Sequence, residues 1–448
     1  MKQKIEFSCS NCGYKSPKWL GKCLSCGQWD TFVEVFRESE KKIKLIQMAK
    51  AQTYTLDEIE STDDYRLLTG ITELDRVLGG GIVPGSFILV GGDPGIGKST
   101  LLLQMCGKLS AYKPLYVTGE ESIRQIKHRS SRLSDVPGDI RILAETNLEV
   151  IAESIEQSDS NIVIIDSIQS VFSSKIESTP GSILQVRECS SLLMSIAKKL
   201  NKAIFIVGHV TKDGFIAGPK ILEHMVDTVL QFEGDKTYSY RILRALKNRY
   251  GSTNEIGIFE MNDIGLSEVN NPSELFLSHR STNDPGVAIV SAIEGSRPIL
   301  LEVQALVSST GYSMPQRTVN GIELRRLQMI LAVLEKRLGI PFRNFDVFVN
   351  VAGGVFLNDP AVDIGIAAAL VSSFKDKPIS SKFVLIGEIG LTGEIRQVSA
   401  LQQRLKEAEK LGFKRAYIPK AKIVELNLKD MELITIDRIS LALAEIFS

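Results

Sequence analysis

Gly92-Asp93-Pro94-Gly95-Ile96-Gly97-Lys98-Ser99 follows the apolar run Phe87-Ile88-Leu89-Val90 and leads into Thr100-Leu101-Leu102-Leu103-Gln104. Strand, glycine loop, helix is the setting in which this spacing makes a phosphate loop. Backbone N–H groups of such a loop, with the helix N-terminus behind it, surround the β- and γ-phosphates of a nucleoside triphosphate. Gly92 through Thr100 are therefore the expected ATP-binding residues. Lys98 is expected to reach the phosphates, and the Ser99 hydroxyl to hold Mg²⁺.

Working outward, the pattern from Leu68 to about Val269 alternates strand and helix, as a mostly parallel sheet does. Ile162-Val163-Ile164-Ile165-Asp166 is a buried strand ending in an acid, which places Asp166 to order Mg²⁺. Thr118-Gly119-Glu120-Glu121-Ser122 closes another strand at the same sheet edge, and Glu120, the first acid after it, is the expected base for the attacking water. A plain acidic pair at a helix N-terminus explains the same residues. Gln169, three residues past Asp166, is expected to relay the phosphate state onward. Two Gly/Ser-containing stretches after strand ends, 172–181 with Lys175 and 209–220 with His209, Lys212 and Lys220, suit a contact to a phosphate polymer, or are ordinary loops. Lys247-Asn248-Arg249-Tyr250-Gly251 sets two cations before a glycine turn. They serve either as an arginine finger for a neighbouring subunit or as a solvated turn.

The N-terminus carries different chemistry. Cys9-x2-Cys12 and Cys23-x2-Cys26 hold four of the six cysteines, and two knuckles of this spacing gather four thiolates round one tetrahedral ion. Zinc is favoured over iron, and no position stays open for catalysis. Lys15, Lys18 and Lys22 alternate with Tyr14, Trp19 and Trp29, either as a surface for DNA or a protein, or as the module's own small core. Cys106 and Cys189 read as buried core thiols.

A chain of 448 residues exceeds one ordinary core, so several domains are expected. The expected division is a zinc-ribbon module over 1–32, a linker over 33–60, an ATPase domain over 61–270 and a further α/β domain over 271–448. With 53 basic and 53 acidic residues, bulk charge gives no argument for nucleic-acid binding. The sequence holds no bilayer-spanning apolar run and no signal-peptide h-region, so a cytoplasmic protein without membrane contact is expected.

The phosphate loop, Gly70-Ile71-x2-Leu74-Asp75-x2-Leu78-Gly79-Gly80-Gly81, Gly119-Glu120-Glu121-Ser122 and Lys247-Asn248-Arg249-Tyr250-Gly251 together resemble the bacterial RadA (Sms) family of DNA repair proteins. With the four-cysteine head and a C-terminal part similar to Lon protease, the resemblance covers essentially the whole chain. It implies a RecA-like P-loop ATPase core, an N-terminal zinc ribbon and a Lon-protease-like α/β domain. It further implies a homo-hexamer that moves on single-stranded and branched DNA as a helicase beside the RecA recombinase, using ATP, Mg²⁺ and Zn²⁺. Lys98, Ser99, Asp166 and Glu120 match the family's ATPase residues; His209, Lys212 and Lys220 fall in the loop expected to face DNA. Lys247 and Arg249 match a signature in which Tyr250 replaces phenylalanine. In the Lon-like part, Ala361 stands where the nucleophilic serine belongs and Gln402 where the lysine belongs, so proteolysis is not expected. That domain is expected to be an oligomerisation platform, with Lys375, Lys377, Lys382, Arg396, Arg404 and Lys406 as a basic patch. The alternatives are a filament-forming recombinase or mediator without unwinding, a nucleotide switch without DNA, and a Lon-type protease, disfavoured by Ala361 and Gln402.

Overall fold

The computed structural model describes residues 5–36, 65–134, 136–208, 220–234, 240–277, 284–311, 314–420, 428 and 430–448. Packing divides the chain into two units. One comprises Met1–Glu233, Arg241–Thr253 and Phe259–Glu268; the other comprises Gly234–Tyr240, Asn254–Ile258 and Val269–Ser448.

The head is a three-stranded antiparallel ribbon, β1 (Ile5–Cys9) flanked by β2 (Lys15–Ser16) and β3 (Phe32–Phe36). Register pairs Ile5 with Phe36, so the ribbon reaches past residue 32 into the stretch expected as linker. Beyond it, 37–64 lie outside the described residues.

The first unit next forms helix α1 (Thr72–Leu78), stopped by Gly79 in the left-handed conformation. Then come β4 (Phe87–Gly91), α2 (Lys98–Lys108), β5 (Leu115–Thr118), α3 (Ile123–Ser130), β6 (Arg141–Ala144), α4 (Leu148–Gln157), β7 (Ile162–Asp166), α5 (Ile183–Leu200), β8 (Ala203–Val207) and α6 (Lys220–Met225). Side-chain caps start three of these helices: Ser122 with Gln125 in a capping box, Asn147, and Ser182. Strands β9 (Thr228–Glu233), β10 (Tyr240–Asn248), β11 (Ile256–Asn262) and β12 (Gly265–Glu268) complete one nine-stranded sheet.

Its order is β12-β11-β10-β9-β4-β8-β7-β5-β6, with β9 through β6 parallel and β10 antiparallel to β9. β4, β7 and β8 are buried along their whole length, which is why they read as unbroken apolar runs. Alternation splits them between two cores. Ile88, Val90, Ile164 and Phe205 face one layer, while Phe87, Leu89, Ile165 and Ile206 face the other. Cys106 and Cys189 are fully buried thiols, one in each layer.

The second unit contains α7 (Pro272–Leu277), β13 (Val287–Glu294), β14 (Arg297–Ser309), β15 (Arg317–Asn320), α8 (Leu324–Leu338), β16 (Phe345–Val351), α9 (Asp363–Lys375), β17 (Phe383–Leu385), β18 (Glu388–Ile389), β19 (Ile395–Arg396), α10 (Leu401–Lys410), β20 (Arg415–Pro419), β21 (Glu432–Ile436) and α11 (Ile439–Ile446). Seven strands form a mixed sheet in the order β15-β16-β14-β13-β17-β20-β21. No described helix of the chain is long and apolar enough to cross a membrane.

Helix α9 lies against β13 so closely that a Cβ on Gly365 would fall 2.0 Å from Val290 Cγ1. Gly365→Ala gains about 1 kcal/mol of helix propensity but overpacks the contact at a cost of about 1–3 kcal/mol. The net expectation is a lower denaturation midpoint for the second unit; a higher midpoint would show that α9 can move off the sheet.

Candidate nucleotide site and metal centre

The loop after β4 is shaped by glycine. Gly92 has φ 145°, and a Cβ there would lie 2.8 Å from Phe232 Cβ, so no side chain fits. Gly97, with φ 119°, caps α2 with backbone alone and leaves Lys98 and Ser99 in the first turn. Lys98 is buried, and its ammonium donates to the carbonyls of Gly92 (2.7 Å) and Asp93 (2.9 Å). Burial pulls its pKa down, and Asp166, Asp93 and Glu120 act against that pull, so these charges share one site.

Asp166 ends β7, but β7 is not the neighbour of β4: β8 lies between them. Val90 pairs with Val207, and Thr118 pairs with Asp166, so the ends of β4, β8, β7 and β5 form one continuous edge. Asp166 Oδ2 accepts from the buried Tyr116 hydroxyl at 2.5 Å. Burial first, and Asp166 second, push the Tyr116 pKa well above its ordinary value, so the phenol stays a donor. Across a cis Asp166–Ser167 peptide, the buried Ser167 hydroxyl donates to Glu120 Oε1. Glu121 is held instead by Arg129. The two acids of the pair thus have different surroundings, and only Glu120 turns to the Asp166 side. Tyr116 and Ser167 had no sequence signal, because a tyrosine inside an apolar strand and a serine after an acid are common. Gln169 follows Ile168, whose N–H donates to Val207 O at 3.0 Å. Both polar atoms of its amide are shielded and find no partner among the described residues.

The fit to nucleotide is one of donor chemistry: a glycine cradle, a buried lysine, a hydroxyl at a helix start and a buried acid on the same edge. Ser99 and Asp166 are the residues that could hold Mg²⁺ beside it.

Lys247 and Arg249 are not brought to this edge. β9 is parallel to β4, β10 returns antiparallel, and Asn248 pairs with Thr228 beside Ile88. The two cations therefore sit at the opposite end of β4, a separation of about 13 Å or more along a five-residue strand. A bulge between Ala245 and Lys247 turns the end of β10. Lys247 Nζ donates to the carbonyls of Glu223, Val226 and His224, at 2.6, 2.8 and 3.3 Å. Burial, then Arg249, holds its pKa below the ordinary lysine value. Arg249 is largely exposed and lies 3.3 Å from Asp227 Oδ1. Asp227, another residue without sequence signal, also accepts from Lys198 Nζ (2.6 Å) and Phe87 N (3.0 Å).

Lys175 follows β7 on the loop edge, exposed, with Glu149 Oε1 3.9 Å away. The chain leaves β8 at Gly208, whose N–H donates to Val90 O, beside the phosphate loop. His209 and Lys212 lie outside the described residues; Lys220 begins α6, and its side chain is outside them.

In the head, the sulfurs of Cys9, Cys12, Cys23 and Cys26 lie within 4.8 Å of one another, with Cys9–Cys26 at 3.7 Å and Cys12–Cys23 at 3.5 Å. A tetrahedral ion with bonds of about 2.3 Å needs sulfur–sulfur edges of about 3.8 Å. The donor set fits zinc. Trp19 and Trp29 are not part of the module's core, which is Cys9, Cys23 and Phe32 with Phe7, Leu20, Cys12 and Cys26 around them, while the Tyr14 ring meets Phe32 edge-on at 6.4 Å.

The second unit keeps no acyl-transfer pair: Ala361 is buried without a nucleophile, and Gln402 is exposed on α10. Arg404, expected in a basic surface patch, is instead fully buried. It bonds Asp359 Oδ2 and Ser291 O, both at 2.5 Å, and Ser399 O at 2.9 Å. Its place on α10 turns it inward, where Asp359 compensates its charge. Arg396 is likewise paired, with Glu394 and Glu388.

Comparison with known proteins finds three family matches along the chain. Residues 7–34 match a family described as a rubredoxin metal binding domain, 52–214 one described as an AAA domain, and 303–422 one described as subunit ChlI of Mg-chelatase. The chain is 53% identical over 424 residues to the DNA repair protein RadA of Halalkalibacterium halodurans, covering 93% of each chain. It is 50% identical over 429 residues to that of Bacillus subtilis, covering 94% of each. A crystal structure of the RadB recombinase aligns with 46% of this chain and 100% of its own, at 22% identity and a TM-score of 0.38.

Metal analysis of the purified protein is expected to find a single Zn²⁺ per chain, lost together with the ribbon's fold on strong chelation. A visible iron–thiolate absorption in place of zinc would overturn this assignment.

Proposed function

The chain belongs to the RadA family of bacterial DNA repair proteins, an ATP-binding, zinc-binding family with a RecA-like ATPase core, and we propose that it works as a ring whose ATP sites are completed between subunits. The observation that carries this reading is the division of charge across one sheet. Lys98, Ser99, Asp166 and Glu120 belong to one edge, and Lys247 and Arg249 to the other. Cations at the far end of β4 cannot reach the γ-phosphate of their own chain, whereas they can face that of a neighbour.

On this reading Gly92, Asp93, Pro94, Gly95, Ile96, Gly97 and Thr100 wrap the phosphates with backbone donors. Lys98 gives up its two carbonyl partners to bind the β- and γ-phosphates. Mg²⁺, held by Ser99 and Asp166, would neutralise charge on the departing phosphoryl group. Tyr116 holds the Asp166 carboxylate in place through its hydroxyl. Glu120, fixed by Ser167, orients the attacking water and takes its proton. Arg249 from the next subunit stabilises the charge that develops, a contribution of about 10³–10⁵ in rate for such fingers. Lys247 positions the same turn by tying it to the end of α6. Gln169, three residues past Asp166, transmits loss of the γ-phosphate to Lys175, His209, Lys212 and Lys220, which grip phosphates of single-stranded DNA without reading bases.

The output is ATP-dependent handling of single-stranded and branched DNA in recombination, in the cytoplasm and beside the RecA recombinase. A recombinase or mediator role needs only nucleotide-dependent DNA binding, which the bond from Ile168 N–H, two residues past Asp166, to Val207 O, just before the Gly208 exit, supports. Helicase action adds strand separation to the same cycle, with the second unit as the hexamer platform.

Two experiments bear on this. Hydrolysis is expected to rise on adding single-stranded DNA and to vanish in Lys98→Ala; assays of strand pairing and of tailed-duplex unwinding then tell mediator from helicase. DNA-indifferent hydrolysis would sink the DNA role. For the shared site, Lys98→Ala and Arg249→Ala should each be inactive alone. Mixed chains should regain turnover, because a sound Lys98 on one subunit meets a sound Arg249 on the next. A mixture that stays inactive would put both residues to work within one chain.

A further inference from the structure

The ribbon carries a surface that the nucleotide cycle does not use. Tyr14, Trp19 and Trp29 are 38%, 51% and 71% exposed, although the metal-held core of the module lies beside them. The two indoles converge on one point: a Cβ built on Gly21 would lie 3.7 Å from Trp19 Cζ3 and 3.9 Å from Trp29 Cζ3. A backbone bridge joins Lys22 to Trp29, and Lys22 Nζ stands 5.5 Å from the Trp29 ring centroid. Lys15 and Lys18 are exposed on the same small module.

Four thiolates on one ion already hold so small a fold, and neither indole belongs to its buried core. Tryptophan alone would suit a protein partner, but lysine is depleted from the centres of protein interfaces. Flat rings interleaved with ammonium groups suit a polyanion that offers flat faces, and only unpaired bases have faces free to stack. We propose that the zinc ribbon is a second binding site for single-stranded DNA, with Trp19 and Trp29 stacking on bases and Lys15, Lys18 and Lys22 set against the phosphates. This site needs no nucleotide and stands apart from the ATPase reading.

The chain contains two tryptophans, and both are in the ribbon, so indole emission reports on this module alone. Titrating the zinc-loaded full-length protein with a thymidine oligomer, without nucleotide, is expected to quench that emission. An oligomer carrying 5-bromouracil should photocrosslink to Trp19 or Trp29. Trp29→Ala, followed through the remaining Trp19, should bind about tenfold more weakly, and Trp29→Phe should recover part of the loss. Lys18→Ala and Lys22→Ala should each flatten the salt dependence of binding by about 0.7 in log–log slope. Zinc content equal to wild type shows that each variant is folded. Unchanged emission with no crosslink to the ribbon would overturn the proposal and leave the face to a protein partner. Lys98→Ala should keep the quench, so loss of the ATPase reading and loss of this one are told apart.

Discussion

The position of β8 between the strand of the phosphate loop and the strand of Asp166 is the constraint on which the rest depends. Parallel pairing fixes the ends of β4, β8, β7 and β5 side by side, so loops from four separate places in the chain meet at one edge. The intervening strand leaves room between Lys98 and Asp166, and Glu120 enters from the far side of Asp166. An antiparallel strand in place of β4, β7 or β5 would have sent one of the charges to the opposite edge. Burial of β4, β7 and β8 on both faces makes that arrangement stiff, because moving one strand would disturb two cores at once.

The same geometry explains why the second set of cations is elsewhere. β9 runs with β4, and β10 returns, so anything after β10 ends at the start of β4. Asp227 anchors that corner by accepting from Phe87 N, Lys198 and Arg249 together. Burial alone would lower the Lys198 pKa, but its bonds to Asp227 and then Tyr250 outweigh that and raise it. The corner is thus electrostatically satisfied within one chain, while the Arg249 guanidinium keeps most of its surface in solvent.

The C-terminal unit illustrates a different use of charge. Arg404 sits fully inside, bonded to Asp359 and two carbonyls, on the helix that also carries Gln402. Asp359 begins the turn that carries Ala361, so the ion pair ties that turn to α10. Removing either partner would strand a buried charge, which is costly. The pair makes the region a structural joint.

By itself the sequence determined the phosphate loop, the acid at the end of β7, the acidic pair that follows β5 and the four-cysteine head. Each of these follows from local spacing, strand to loop to helix, or pairs of cysteines two residues apart. Runs such as Ile162–Asp166 and Ala203–Val207 were legible because a strand buried on both faces must be apolar throughout. The tertiary structure alone decided which edge each loop occupies, since strand order depends on pairing between distant segments. It alone brought Tyr116, Ser167 and Asp227 to charged partners, sent Arg404 inward and left Trp19 and Trp29 outside. Those outcomes rest on what packs against each residue, and no spacing along the chain encodes a neighbour fifty or a hundred residues away.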